Sequence, residues 1–254
     1  MRLLRGELLK LAKRPATRTT FLLVGLAIVL IYVGMGAVAA TLPAGEDRDG
    51  LTGLLTFPEA YRSLLALFPL FGGMALAIYA GLVIGSEWSW GTLRLAFTRG
   101  ESRWRYVLTT FAAIALLALV ALIVLVAVGV VAAMAAGAIS GFPTGNLGDG
   151  ETLAWLPIGI LGAWAGMVII ASLAFAVSLV TRSQVAGIGL VVALFFGEQF
   201  AALVAPPEVL QFAPVAAARG LLAADGLLIP FVALAYLVVA LAASSMLIER
   251  AEIA

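Results

Sequence analysis

GSEWSWGTLRLAFTRGESRWR, residues 85–105, decides the fold, because this polar and basic stretch separates two long apolar runs. It contains four arginines and three tryptophans. It is also longer than a simple turn between two membrane helices needs to be. The positions of such polar stretches among the apolar runs therefore define the organisation of the chain.

The composition is that of an integral membrane protein. Of 254 residues, 63% are hydrophobic and 11% are charged, whereas soluble domains have about 45–50% apolar and about 25% charged residues. The chain has no cysteine and no histidine, which removes disulfides, thiolate metal sites and the usual general base. Lysine occurs only at Lys10 and Lys13, so no phosphate-binding loop ending in Gly-Lys-Ser/Thr exists. We expect no catalytic residue, metal or cofactor in this chain, and no nucleic-acid partner.

Six apolar runs are each long enough to cross a bilayer, for which roughly 20 residues suffice. They cover residues 19–42, 63–86, 106–147, 152–181, 183–207 (interrupted by Glu198) and 226–248. The first run is longer than the core of a signal peptide, about 7–15 residues, so a retained span is favoured over a cleaved signal. The sequence predicts an all-α membrane protein with one six-span domain over residues 1–254.

Lysines and arginines are unevenly divided between the loops on the two sides. The amino terminus, residues 85–105, the turn at Arg182 and the carboxy terminus carry twelve, and the other three loops carry three of the 15. Cytoplasmic loops are enriched in Lys and Arg. We therefore expect both termini to be cytoplasmic.

Two further segments are predicted at the membrane surface. Within the first of these, residues 1–16, residues 2–14 place three leucines on one helical face and four basic residues on the other, and Pro15 ends the helix. This pattern is typical of an amphipathic helix lying on the bilayer. Residues 206–226 are too apolar for a free loop and too short to cross twice. We expect them to form one or two short helices that re-enter the outer leaflet.

The central polar stretch has the pattern of a helix start. Ser86 is a favoured N-cap residue, and Glu87 suits the first turn, where the helix dipole stabilises a negative charge. Trp88 and Trp90 are typical of the headgroup region. A loop with an aromatic belt on the positive side explains this composition equally well, but it does not explain the length or the plan of a helix followed by a turn. We predict a cytoplasmic helix over residues 86–97.

Two motifs resemble the permease subunits of the ABC-2 family of ATP-binding-cassette transporters. Gly85, Glu87, Gly91-Thr92-Leu93-Arg94, Arg99-Gly100 and Ser102-Arg103 are similar to the G-x-E-x-x-x-G-T-hydrophobic-Arg…Pro-x-Ser-Arg signature of that family, with Gly100 where the family often has proline. The opening Glu7-Leu8-Leu9-Lys10-Leu11 and Arg14-Pro15-Ala16-Thr17 are similar to the family's connecting helix.

The resemblance implies an exporter in the inner (plasma) membrane of a bacterium, built from two permease chains and two cytoplasmic ATPases. Residues 86–97 would be a coupling helix that docks on the separate ATPase, with ATP and Mg²⁺ bound in that partner. The residues implied in coupling are Glu87, Gly91, Thr92, Arg94, Arg99 and Arg103, and those of the connecting helix are Glu7, Lys10, Lys13 and Arg14. Glu87 and Arg94 would contact either the ATPase or the connecting helix, and Thr92 would pack at the ATPase groove.

Glu198 is the ionisable side chain that interrupts a predicted span, and Gln199 follows it. A carboxylate at that depth faces protein or a wet cavity. Two interpretations are open: contact with a substrate in the outer part of the pathway, or a cap on the segment after Pro206. The apolar spans suit a hydrophobic or amphiphilic substrate. An ion- or proton-coupled carrier in which Glu198 cycles protons is the alternative function.

Overall fold

The computed structural model describes residues 2–98, 100–221 and 226–250, without the side chain of Arg2. Within these residues the fold is almost entirely helical, and extended pairing is limited to an isolated bridge between Phe57 and Gly145. Six helices are long and apolar enough to cross a membrane. The prediction of an all-α membrane protein is confirmed at this level.

The helices of the described residues follow one another with short connections. They are α1 (Arg2–Lys13), α2 (Pro15–Thr41), α3 (Glu46–Leu55), α4 (Glu59–Leu67), α5 (Gly73–Ser89), α6 (Thr92–Thr98), α7 (Arg103–Ser140), α8 (Gly150–Thr181), α9 (Gln184–Ala201), α10 (Pro207–Leu210), α11 (Pro214–Gly220) and α12 (Leu228–Arg250). A π-helical turn, Phe68–Gly72, joins α4 and α5 into one continuous helix. The long apolar helices are α2, α4–α5, α7, α8, α9 and α12, one for each predicted span.

Local chemistry explains where several helices begin. Arg14 is extended and Pro15 opens α2, a position at which proline loses no intrahelical hydrogen bond. Asp149 is the N-cap of α8, and its carboxylate accepts hydrogen bonds from the hydroxyl (2.6 Å) and backbone N–H (3.0 Å) of Thr152. These two bonds hold the pKa of Asp149 below its ordinary value.

Helix α8 lies at the centre of the packing. It contacts α5, α9, α11 and α12, while α2 packs along α7. Apolar burial does not drive helices together in lipid, so close backbone approach has to supply the contact energy. At Gly85 of α5 an added Cβ would lie 2.5 Å from the backbone nitrogen of Gln184 in α9. Only glycine allows these two helices to approach so closely.

The ends of the helices lie at the two ends of the bundle, and hydrogen bonds connect several of them at one end. The end of α5 reaches the end of α8 through Trp88, whose indole donates to the carbonyl of Leu179 (3.1 Å). The start of α7 reaches the end of α12 through Arg103, which donates to the carbonyl of Ile248 (3.2 Å). We call this end the basic end, because its loops are those predicted to carry most of the lysines and arginines.

One predicted helix boundary is wrong. Residues 86–97 are not one helix, because Ser86 and Glu87 lie within the last two turns of α5 and a turn at Gly91 separates them from α6. Polar residues after an apolar run suggested a helix start, but buried partners allow α5 to continue through them. The helix predicted to end before Pro15 is present as α1, Arg2–Lys13, and its place at a membrane surface stays a prediction.

The outer segment 206–226 contains two short helices, α10 and α11, and its residues 222–225 lie outside the described part of the chain. Helix α11 packs against α8, α9 and α12. Its position relative to the lipid stays a prediction. Helix α3, in the loop between the first two long helices, was not predicted from the sequence.

Candidate functional site

Four charged side chains meet at the basic end: Glu7, Lys10, Arg14 and Glu87. Glu87 has no exposed surface, Glu7 is buried, and the two cations are partly buried. Charges are stable in such a place only when they are paired and hydrogen-bonded. Two carboxylates and two cations make this cluster formally neutral, which satisfies that condition.

Lys10 and Glu87 are the shared members of the cluster. The Nζ atom of Lys10 lies 2.7 Å from Oε1 of Glu87 and 2.6 Å from Oε2 of Glu7. A guanidinium nitrogen of Arg14 lies 3.0 Å from the same Glu87 oxygen. Lys10 therefore bridges the carboxylates of Glu7 and Glu87. Glu87 in turn bridges Lys10 and Arg14, two cations in the segment that leads into α2.

Two hydroxyl groups connect the cluster to α7. Tyr106 donates to Oε2 of Glu87, and its oxygen accepts from Lys10 at 3.2 Å. Thr110 donates to Oε2 of Glu7 at 3.4 Å. Sequence reasoning missed both residues, because an uncharged hydroxyl near the start of an apolar run has no distinguishing pattern. The cluster therefore joins α1, α5 and α7.

The orientation of α1 differs from the one predicted. The amphipathic pattern placed Lys10 on the face away from the leucines, exposed at the membrane surface. Instead α1 packs against α7 with Glu7 and Leu11 buried, and Lys10 turns inward to the carboxylates. Pairing with Glu87 outweighs exposure because an unpaired buried carboxylate is strongly destabilising. Lys13 stays exposed and outside the cluster.

Helix α6 has one face against the protein and one face open. Gly91 has φ of +69°, a left-handed conformation that glycine adopts at little cost. The hydroxyl of Thr92 donates to the backbone carbonyl of Glu87 at 3.1 Å, and Leu93 is fully buried. On the open side lie Trp90, Arg94 and Leu95, all exposed. We call these three residues the α6 face.

The remaining coupling residues are placed apart from the cluster. Arg103 donates to the backbone carbonyls of Ile248 and Glu249, both at 3.2 Å, and lies over the ring of Phe97. It therefore ties α12 to the segment that follows α6. Arg99 lies outside the described residues.

Glu198 caps a neighbouring helix. Its two carboxylate oxygens accept the backbone N–H groups of Val215 (2.8 Å) and Ala216 (2.9 Å) in the first turn of α11. The N-cap residue Ala213 has no side chain that can do this. The geometry favours the capping interpretation. Gln199 is exposed, and contact of either residue with a substrate stays a prediction.

The basic-end cluster supplies fixed charges and hydroxyls and no activated nucleophile. Within residues 2–98, 100–221 and 226–250 no group of three or more Asp or Glu residues is arranged to hold a metal ion. The arrangement can hold α1, α5 and α7 in one geometry, so that a displacement of one of these helices also moves the other two.

Fold and composition together define a multi-pass α-helical membrane protein. The chain belongs to the family described as protein of unknown function (DUF2705), whose model matches residues 37–254. The matched part includes Glu87 and α6, while α1 and the cluster residues Glu7, Lys10 and Arg14 precede it. No curated protein matches the sequence.

Proposed function

We propose that this chain is the membrane-spanning permease subunit of an ATP-driven exporter of the ABC-2 type, acting with a second permease chain and two cytoplasmic ATPases. Its substrate is hydrophobic or amphiphilic and is moved outward. The α6 face is the surface on which the ATPase docks. The basic end is then the cytoplasmic end, and both termini lie there.

The observation that carries this proposal is the combination of an open α6 face with a buried cluster directly behind it. Of the three residues of the α6 face, Trp90 and Arg94 are of the types enriched where proteins dock, and the exposed Leu95 extends the surface. Thr92 links this surface to Glu87 through the backbone of α5. A force applied to α6 therefore reaches α1, α5 and α7 together.

The route of the displacement follows from the connections. Closure of the ATPases on ATP pushes α6 toward the membrane. Because the cluster binds α1 to α5 and α7, the three move as one body, and α2 follows α1 through the extended Arg14. The cavity between two permease chains then changes the side to which it opens.

The sequence supplies an independent reason for a partner ATPase. Without any Gly-Lys-Ser/Thr motif the chain has no phosphate-binding loop of its own. If nucleotide energy drives the export, the nucleotide is bound elsewhere, and an exposed docking surface on the cytoplasmic side meets that requirement.

The test measures association with a candidate ATP-binding-cassette ATPase co-expressed with the chain, together with ATP turnover of the complex. Arg94→Ala with Leu95→Ser should weaken association by about 30-fold, since loss of a docking anchor such as Arg94 costs about 2 kcal/mol. Leu9→Ser is the matched control, because Leu9 is as exposed as Leu95 (both 54%) but lies on α1. Unaltered association and turnover in the double variant would refute the docking role.

The carrier in which Glu198 cycles protons has less support, because both of its oxygens already accept backbone N–H groups. Transport with ATP depleted and the ion gradient intact separates the two functions. The exporter stops under these conditions, and the carrier continues.

A further inference from the structure

A long apolar groove runs along the outside of the molecule between α2 and α7. Its volume is 740 Å³. Its walls are almost entirely aliphatic, with Leu22 and Leu26 from α2 and Val120 and Val124 from α7 among the exposed residues. Within the described part of the chain nothing covers it.

Among the described residues that line the groove, one is a cation, Arg18, and it lies at one end. Arg18 is the first groove residue of α2, which starts at the basic end, and the last is Val29. Arg18 is exposed and has no hydrogen-bond or ion-pair partner among the described residues. From Arg18 to Val29 the groove extends roughly 16 Å at about 1.5 Å per residue. That length corresponds to one leaflet of a hydrocarbon core about 30 Å thick.

We propose that this groove binds an anionic phospholipid of the leaflet at the basic end, with its phosphate on Arg18 and one acyl chain along the α2–α7 walls. Basic residues between membrane helices on the cytoplasmic side attract anionic headgroups, and the depth of the groove matches one leaflet. The proposal is separate from the exporter function, because it needs no ATPase and its readout is lipid retention.

The charge at the groove argues against a second copy of the chain as the occupant. In a twofold-symmetric dimer both copies contribute the same surface to the interface. If the symmetry axis lies along the membrane normal, a given residue is at the same depth in both copies. Two unpaired Arg18 side chains would then face each other across an apolar interface. An anionic headgroup removes that repulsion, whereas a second copy creates it.

The first experiment measures lipid bound to the purified full-length chain by native mass spectrometry. The probes are palmitoyl-oleoyl phosphatidylglycerol and the corresponding phosphatidylcholine, added separately. We expect the wild type to retain phosphatidylglycerol preferentially. Arg18→Gln should reduce that preference roughly fivefold, while Arg5→Gln, which removes an exposed arginine of α1 at the same end, leaves it unchanged. Equal losses in both variants would reduce the effect to general surface charge and overturn the proposal.

The second experiment fills the groove without altering any charge. Val124 lines the groove and Ile123 does not, yet the two neighbours on α7 are 57% and 52% exposed. Val124→Trp should lower the retention of both lipids, and Ile123→Trp should leave it as in the wild type. Equal retention in both tryptophan variants would contradict the proposed site even if Arg18→Gln fails to fold.

The second copy is tested by cross-linking in native membranes. Because the chain has no cysteine, Val124→Cys introduces a single thiol into the groove. We expect oxidation to leave this variant monomeric on a denaturing gel. A disulfide-linked dimer in high yield would place a second copy in the groove and exclude the lipid.

Discussion

At the scale of single residues, Glu87 decides how the basic end is built. Its carboxylate is fully buried, and it is satisfied by Lys10 of α1, by Arg14 at the junction of α1 and α2, and by Tyr106 of α7. The family resemblance implied that Glu87 contacts either an ATPase or the connecting helix, and both roles stay predictions. In the structure the carboxylate has no exposed surface and its partners are within the protein.

A double-mutant cycle on Glu87 and Lys10 tests whether the cluster couples the helices. Glu87→Gln leaves Arg14 without its carboxylate, so we expect the free energy of unfolding to fall by about 3 kcal/mol. Lys10→Met should be destabilising too, and the pair should show a coupling energy of about 1–3 kcal/mol. Denaturant unfolding in mixed micelles, followed by tryptophan fluorescence, measures these values.

The control for this cycle is the exposed pair Arg62 and Glu59, whose charged atoms are 3.3 Å apart. Exposed pairs contribute at most about 1 kcal/mol, so Arg62→Gln should have little effect. Strictly additive effects of Glu87→Gln and Lys10→Met would show that the two side chains act independently, against the geometry described above.

At the scale of helices, two short elements depend on residues outside themselves. Helix α6 is oriented by Gly91 and by the bond from Thr92 to the end of α5. Helix α11 starts at Pro214 with no cap of its own, and Glu198 of α9 supplies one. Neither helix is long enough to be stable alone, so both take their positions from the long helices.

Removal of the cap should loosen α11 locally. Glu198→Ala leaves two N–H groups without an acceptor, and loss of a cap costs about 1 kcal/mol. We expect amide hydrogen exchange of Val215 and Ala216 to accelerate about fivefold, with a smaller effect for Glu198→Gln, which keeps one acceptor oxygen. Hydrogen-exchange mass spectrometry of peptides covering residues 211–221 measures this.

Gln199→Ala serves as the control for the cap, because it changes an exposed neighbour on the same helix. If exchange in α11 is the same in Glu198→Ala as in the wild type, the two hydrogen bonds do not hold the helix. The substrate-contact interpretation of Glu198 would then become the stronger one.

At the scale of the whole molecule, the bundle depends on close helix crossings. The crossing of α5 and α9 lies two residues before Glu87, so it sets the position of both the cluster and α6. Backbone atoms of Gln184 occupy the space that a Cβ on Gly85 would need. Backbone cannot move aside as a flexible side chain can.

Gly85→Ala should therefore destabilise the protein by about 1–3 kcal/mol, the usual effect of overpacking. Gly189→Ala is the matched control on α9, because an added Cβ there meets no atom within 4 Å. It should be neutral or slightly stabilising, since alanine favours the helix. Thermal unfolding in detergent separates the two variants, and similar melting temperatures would disprove the close crossing.

The length of each apolar run and the charge of each loop are local properties, and they were sufficient to predict six long apolar helices and the loops rich in lysine and arginine. These local properties could not predict that Glu87 is fully buried near the end of α5. Its partner Lys10 lies 77 residues away, so the pair forms only when α1 packs on the bundle. A charge normally marks the end of a buried helix, yet α5 continues through Glu87 because the fold supplies the opposite charge.

The same distinction applies to Glu198. The sequence alone determined that a carboxylate interrupts the fifth apolar run, and it left both a substrate contact and a cap open. Only the tertiary structure decided that the N-terminus of α11 lies within hydrogen-bonding distance of both oxygens. The physical reason is that hydropathy and helical period depend on neighbours along the chain, whereas the pairing of buried charges depends on which distant segments the packing brings together.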